Sequence, residues 1–116
     1  MAKRLTDEER ALRQLREREW QSEVIFQAKA RGWKWYHPPD NKPNAYGRIQ
    51  QIVAGFPDLV LVKNGTIIFV ELKRETGVMS VEQEGWFEEL RACGLTCYLW
   101  RPSDFLDMVQ ILNSVP

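Results

Sequence analysis

The dipeptide Asn64-Gly65 is the feature that most restricts how this chain can fold. It separates two runs rich in β-branched and aromatic residues, 58–63 and 66–73. Because Asn-Gly favours a tight turn with two positive φ angles, the pattern predicts a β-hairpin with a two-residue loop. Both runs are apolar at successive positions, so we predict that the hairpin lies at the centre of a covered sheet.

A two-residue loop also fixes which residues face each other across the hairpin. If Lys63 faces Thr66, the same register places Asp58 opposite Glu71. Opposed residues on antiparallel strands have Cβ atoms about 4.5–5.5 Å apart. Lys73 follows two positions after Glu71, which puts it on the same face, about 6.6 Å further along the strand. Two facing carboxylates repel each other, and a divalent cation between them would offset that cost.

This geometry predicts a Mg²⁺ or Mn²⁺ site at the open end of the hairpin. Asp58 and Glu71 would be ligands, together with the backbone carbonyl of Leu72. Lys73 could orient or deprotonate a metal-bound water, or neutralise a phosphate. The alternative is that Asp58 is a turn residue and that Glu71 and Lys73 form an ordinary strand-end pair. The preceding Gly-Phe-Pro at 55–57 fixes the approach to Asp58 and favours the metal site.

The rest of the chain predicts a single α/β domain over residues 1–116, with a mixed central sheet flanked by helices in the order α-β-β-β-α-β-α. Capping-box spacings at Thr6 and Ser80 indicate two helix starts. The strand that follows the second of these helices should lie parallel to strand 66–73, as in a βαβ crossover. The predicted elements outside the hairpin are a helix over 6–31, a strand over 33–37, a loop to about residue 52, a helix over 81–92, a strand over 95–100 and a helix from 102–104 to about 112.

Composition narrows the possible classes of protein. With 44% hydrophobic and 28% charged residues, the chain can form a core and is not a charge-dominated disordered protein. Two cysteines and one histidine are too few for a structural zinc site, so Cys93 and Cys97 are expected to be reduced thiols. The sequence has no apolar run that would span a membrane and no secretory signal at its start, which leads us to expect a cytoplasmic protein.

Charge is distributed unevenly along the chain although the formal net charge is zero. Residues 1–74 hold 14 Lys and Arg against 9 Asp and Glu, whereas residues 75–116 hold 2 against 7. This asymmetry is typical of a protein with a phosphate-facing side and an acidic side. It is equally compatible with two oppositely charged faces that associate.

Two motifs resemble a known family. The segments Gly-Phe-Pro-Asp-Leu at 55–59 and Phe-Val-Glu-Leu-Lys at 69–73, joined by a hairpin, look like the core of the PD-(D/E)xK nucleases. Ser-Val-Glu-Gln-Glu-Gly-Trp at 80–86, followed by Gly94, resembles more narrowly the virus-type replication-repair nuclease (VRR-NUC) domain, whose minimal stand-alone members are typical of phages. The similarity covers about 17–102. It implies a restriction-endonuclease-like fold, Mg²⁺- or Mn²⁺-dependent phosphodiester hydrolysis and branched DNA as substrate.

The resemblance assigns the catalytic motif to Asp58, Glu71 and Lys73, the three residues that the hairpin register selects. It adds Gln83 as an accessory residue of the site. Gln83 could instead be the partner of a helix cap, and both roles could coexist.

The family also places an acidic residue on the first helix, near the metal ions. Glu17 is the preferred candidate, because it lies one turn before Trp20 on the inward face of the predicted helix. Glu19 and Glu23 remain open alternatives, as does a solvated charge without a role in catalysis.

Several further residues could contact DNA. The predicted loop before residue 52 carries basic residues interleaved with an aromatic residue, a composition typical of loops that bind a DNA strand. An ordinary surface loop is the alternative. His37 is expected to be structural or a phosphate contact rather than a general base, and Trp86 is expected on the apolar face of its helix. The predicted DNA-binding residues are Lys42, Tyr46, Arg48 and Arg74, and the arginines at 10, 13, 16 and 18 are either phosphate contacts or a solvated face.

Together these observations favour a nuclease that recognises DNA structure, with a four-way (Holliday) junction as the expected substrate. We expect no membrane partner and no small-molecule substrate. A symmetric junction is most simply cut by two identical sites, which predicts a homodimer. The alternatives are a flap- or sequence-specific endonuclease of the same fold and a non-catalytic DNA-binding or assembly module.

Overall fold

The computed structural model describes residues 4–39 and 53–116. In these ranges the chain forms helices around one sheet of four strands. The elements are α1 (Asp7–Arg13), α2 (Glu17–Ala30), β1 (Lys34–Tyr36), β2 (Leu59–Lys63), β3 (Thr66–Leu72), α3 (Val81–Ala92), β4 (Thr96–Trp100), a short 3₁₀ helix (Pro102–Asp104) and α4 (Phe105–Asn113).

The predicted hairpin is confirmed. Asn64 has a φ of 44° and Gly65 a φ of 80°, as a two-residue turn of this type requires. Lys63 pairs with Thr66 in the predicted register. The strand order is β1-β2-β3-β4, so the hairpin is central, and β4 runs parallel to β3 as the crossover predicts. The hairpin is less completely buried than predicted, because the side chains of Val62 and Ile67 are each 39% exposed.

The single helix predicted over 6–31 is wrong, because the chain breaks between α1 and α2. Arg16 has an extended backbone, with φ −69° and ψ 156°, and its N–H donates to the carboxylate of Glu19 at 3.1 Å. This bond satisfies an N–H at the start of a new helix, so the local cap overrides the continuous helical periodicity. The observed order is therefore α-α-β-β-β-α-β-α, and the strand predicted over 33–37 is limited to Lys34–Tyr36.

The sheet is packed by helices on both faces. Alternate residues of β2 and β3, such as Leu61 and Ile68, pack with α2 and α4 in the larger core cluster. The opposite face carries Phe69, which packs with Phe87 of α3. The indole N–H of Trp33 donates to the carbonyl of Leu112 at 3.0 Å and ties the end of α2 to α4. This mixed sheet between helices is an α/β restriction-endonuclease-like fold, as predicted.

The fold is built from short helices. Within 4–39 and 53–116, none has both the length and the apolar character needed to cross a membrane.

Two glycines of similar backbone conformation allow a matched test of packing. Gly55 has a φ of 84°, and a Cβ added there would lie 2.5 Å from the carbonyl carbon of Glu82. Gly65 has a φ of 80°, and a Cβ added there would meet nothing within 4 Å. Gly65→Ala should therefore cost only the backbone strain of about 1–2 kcal/mol. Gly55→Ala should cost roughly 2–4 kcal/mol, because overpacking adds to that strain.

The free energies of unfolding of both variants can be measured by urea denaturation. Equal losses in the two variants would contradict the close packing of Gly55 on α3.

Candidate active site

Three carboxylates from distant parts of the chain converge at one end of the sheet. Glu17 is the first residue of α2, Asp58 directly precedes β2, and Glu71 is the penultimate residue of β3. One carboxylate oxygen from each lies within 4.8 Å of the other two. The hairpin register accounts for the proximity of Asp58 and Glu71, because Leu59 pairs with Val70.

Of the three acids considered on the first predicted helix, the structure brings Glu17 to this cluster. Glu19 is engaged elsewhere, since its carboxylate accepts the N–H of Arg16. Glu23 accepts a hydrogen bond of 2.9 Å from the side chain of Gln27.

The break before α2 explains how Glu17 reaches the other two acids. It makes Glu17 the first residue of a helix, and the positive end of a helix dipole stabilises nearby negative charge. One turn later, the buried indole of Trp20 donates to the carbonyl of Trp100 at 3.0 Å. The same carbonyl accepts the backbone N–H of Lys73 at 3.2 Å. The start of α2 and the end of β3 are therefore held by one shared acceptor.

Glu71 is the most constrained of the three acids, with a relative exposure of 1%. Its Oε1 accepts a hydrogen bond of 3.0 Å from the side-chain amide of Gln83. Its Oε2 is buried and has no hydrogen-bond donor among the residues described. Burial, reinforced by the neighbouring carboxylate of Asp58, raises the pKa of Glu71 to about 9. In the absence of a cation, Glu71 therefore holds a proton at neutral pH.

Lys73 lies beside the acid cluster. Its Nζ is 3.9 Å from Oε1 of Glu17, and its side chain is only 16% exposed. Burial also raises the pKa of Glu17, and the charge of Lys73 acts in the opposite direction. The ammonium group thus lies where it can balance negative charge on the cluster or on a bound phosphate.

Asp58 is held both at its carboxylate and at its backbone carbonyl. The N–H of Leu72 donates to its Oδ2 at 2.8 Å, and the ring Nδ1 of His37 lies 2.8 Å from its carbonyl oxygen. His37 therefore contacts the backbone of the site. In an extended strand the N–H and C=O of one residue leave by the same edge, so the carbonyl of Leu72 is also directed toward the side of Asp58.

Gln83 combines the two roles that the sequence left open. Its Oε1 accepts the N–H of Ser80 at 2.8 Å, and its own N–H donates to the hydroxyl of Ser80 at 3.1 Å. Its Nε2 donates to Glu71. Because a side-chain amide has separate donor and acceptor ends, the same residue caps α3 and holds a carboxylate of the site.

The predicted DNA contacts are only partly within the structure. Arg74 is exposed and directly follows Lys73. Arg13 lies 4.0 Å from Glu75, and Arg10 lies 3.8 Å from Asp7, so two of the basic residues of the first helical region form ion pairs. The other predicted contacts, Lys42, Tyr46 and Arg48, lie outside the described residues.

Sequence reasoning missed the part that Trp86 plays near the site. We predicted a core position on an apolar helix face, but the ring is half-buried and its Nε1 donates to the carbonyl of Ala54 at 3.1 Å. The Gly-Phe-Pro segment at 55–57 was a signal that the approach to Asp58 is constrained. Nothing in the local spacing identifies a partner 32 residues away.

The donor set of the cluster fits a hard divalent cation. Mg²⁺ and Mn²⁺ prefer oxygen ligands, and three carboxylates are assembled here. The buried Oε2 of Glu71 supports the same conclusion, because an oxygen without a hydrogen-bond donor is costly to ionise unless a cation lies close by.

Comparison with known proteins agrees with this geometry. The sequence model of the VRR-NUC domain matches residues 7–103, most of the chain. No curated protein gives a significant match. A VRR-NUC domain is a nuclease domain of the PD-(D/E)xK type, with DNA as its substrate. From its fold, its clustered acids and this match, we conclude that the chain belongs to the VRR-NUC family of nucleases.

Proposed function

We propose that this protein is a Mg²⁺- or Mn²⁺-dependent DNA endonuclease that recognises branched DNA, specifically a four-way junction, and acts as a homodimer. The observation that carries the metal dependence is the cluster of Glu17, Asp58 and Glu71, in which a buried oxygen of Glu71 has no donor within the described part of the chain. A cation would replace the proton that burial otherwise keeps on Glu71.

The residues of the proposed site divide between binding the ion and holding its ligands in place. Asp58 and Glu71 would bind the ion directly, with the carbonyl of Leu72 as a further oxygen ligand. Glu17 would complete the set from α2. Gln83 would hold the carboxylate of Glu71 in a fixed orientation through its amide.

A bound divalent ion would make a coordinated water easier to deprotonate and would offset the charge that develops on the phosphate. Lys73 would orient the attacking water or neutralise the scissile phosphate, since its ammonium group lies beside the cluster. Arg74, the next residue, is exposed and could bind a neighbouring phosphate.

The preference for DNA structure follows from size and symmetry. A domain of 116 residues has little surface with which to read base sequence, so phosphate contacts and shape should dominate recognition. A four-way junction is symmetric, and two copies of one active site match its two cuts.

The substrate preference can be tested with labelled four-way junction, flap and plain duplex DNA, each with Mg²⁺, with Mn²⁺ and with a chelator. We expect metal-dependent cutting that is fastest on the junction, by a protein whose mass in solution is that of a dimer. Cutting of duplex at one sequence would instead favour a restriction-type enzyme. Binding without any metal-dependent cutting would favour a non-catalytic module.

The role of Glu71 can be tested by Glu71→Gln, which preserves shape but removes the negative charge that the ion requires. We expect cleavage to fall by roughly a hundredfold or more, because a metal ligand is lost. Binding to the junction should change little, since phosphate contacts supply most of the affinity. Glu23→Gln is the matched control, because Glu23 lies on α2 outside the cluster, and it should cut normally. Wild-type cleavage by Glu71→Gln would remove Glu71 from the mechanism.

The raised pKa of Glu71 predicts how the stability of the metal-free protein depends on pH. Between pH 4.5 and about 9 the folded state keeps a proton on Glu71 that the unfolded state has released. The stability that this proton contributes is therefore fully present below pH 4.5 and is lost progressively as the pH rises toward 9. In chelator, the Tm of the wild type should fall by roughly 5 °C or more relative to that of Glu71→Gln between pH 5 and pH 9.

Addition of Mg²⁺ at pH 9 should restore the Tm of the wild type but not raise that of the variant. Parallel pH profiles of the wild type and the variant in chelator would show that Glu71 does not carry this proton.

A further inference from the structure

The segment that leads into Asp58 is attached to α3. Asp58 lies just before the first ladder residue of β2, so strand pairing alone does not fix the direction from which the chain arrives. The indole N–H of Trp86 donates to the carbonyl of Ala54 at 3.1 Å, four residues before Asp58. This bond connects the second turn of α3 to the approach to the site.

Aromatic packing strengthens the same attachment. The ring of Phe56 meets the ring of Trp86 edge-on, with centroids 5.1 Å apart. It also meets the ring of Phe69 of β3 edge-on, with centroids 6.2 Å apart. Edge-to-face pairs at these separations are favourable beyond the area they bury. Phe56 is therefore held between the helix and the sheet.

The backbone conformation of this segment is restricted by close packing. Gly55 lies so close to Glu82 of α3 that it has no space for a side chain. Pro57, directly before Asp58, is fully buried. The chain between Ala54 and Asp58 is thus in contact with the start of α3.

The same part of α3 also holds the opposing carboxylate. Gln83 donates to Glu71, and Trp86 follows Gln83 by three positions, which puts both side chains on one side of the helix. We propose that Trp86 is a positioning residue: with Gln83, it makes α3 a brace that fixes the separation of Asp58 and Glu71 for a divalent cation. This inference rests on the proposed metal site.

The test uses Trp86→Phe in the full chain. Phenylalanine retains an aromatic ring for contact with Phe56 but cannot donate to Ala54. Trp33→Phe is the matched control, because it removes an equivalent indole–carbonyl bond, that of Trp33 to Leu112, near the far end of α2. Trp33 follows the end of α2, and the 14 residues of that helix, which begins at Glu17, span about 21 Å.

Binding of Mn²⁺ to each metal-free protein can be measured by isothermal titration calorimetry, alongside its Tm. We expect Trp86→Phe to bind Mn²⁺ about fivefold more weakly, which corresponds to about 1 kcal/mol, the usual contribution of one hydrogen bond. Trp33→Phe should lower the Tm and leave the Mn²⁺ affinity unchanged. In cleavage assays, excess Mn²⁺ should bring Trp86→Phe to the wild-type plateau, whereas Trp33→Phe should need no more Mn²⁺ than the wild type.

The possible failures are distinguishable. Equal Mn²⁺ affinity in the wild type and Trp86→Phe would overturn the positioning role while leaving the metal site intact. An equal loss of affinity in Trp33→Phe would mean that stability, not position, controls binding. If the wild type itself does not bind Mn²⁺, the proposed function fails and the inference fails with it.

Discussion

A carboxylate that is removed from water is the constraint around which this structure is organised. An ionised oxygen in an apolar interior is costly unless a proton, a donor or a cation is present. Glu71 is 1% exposed and lies in the central strand pair, where it has only Gln83 as a donor among the residues described. The surrounding elements supply the other charges: Asp58 enters from the neighbouring strand, and Glu17 and Lys73 complete the set.

Local sequence rules predicted the parts of the site that depend on near neighbours. The turn at Asn64-Gly65 determines a register, and the register brings Asp58 and Glu71 together without information from the rest of the fold. The cap formed by Ser80 and Gln83 is predictable for the same reason, because it joins residues three positions apart.

The break between α1 and α2 was not predictable in this way. Apolar residues continue at helical intervals across it, and arginine at position 16 is not among the residues that favour a helix N-cap. Tertiary contacts, such as the bond from Trp20 to Trp100, connect α2 to the sheet across 80 residues. The contact of Trp86 with Ala54 was missed for a similar reason. Hydrophobic spacing identifies the buried face of a helix, but it does not identify the carbonyl to which an indole N–H on that face will donate.

The carbonyl of Trp100 accepts both the indole of Trp20 and the backbone of Lys73, and this has a consequence for biosynthesis. The hairpin carrying two of the acids can form from contacts within about one tight turn, whereas the third acid depends on a strand made much later. During translation, the cluster of three acids can therefore be completed only after β4 has been made. A nascent chain would therefore pass through synthesis with its cutting machinery incomplete, and it would become competent only as the last strand joins the sheet.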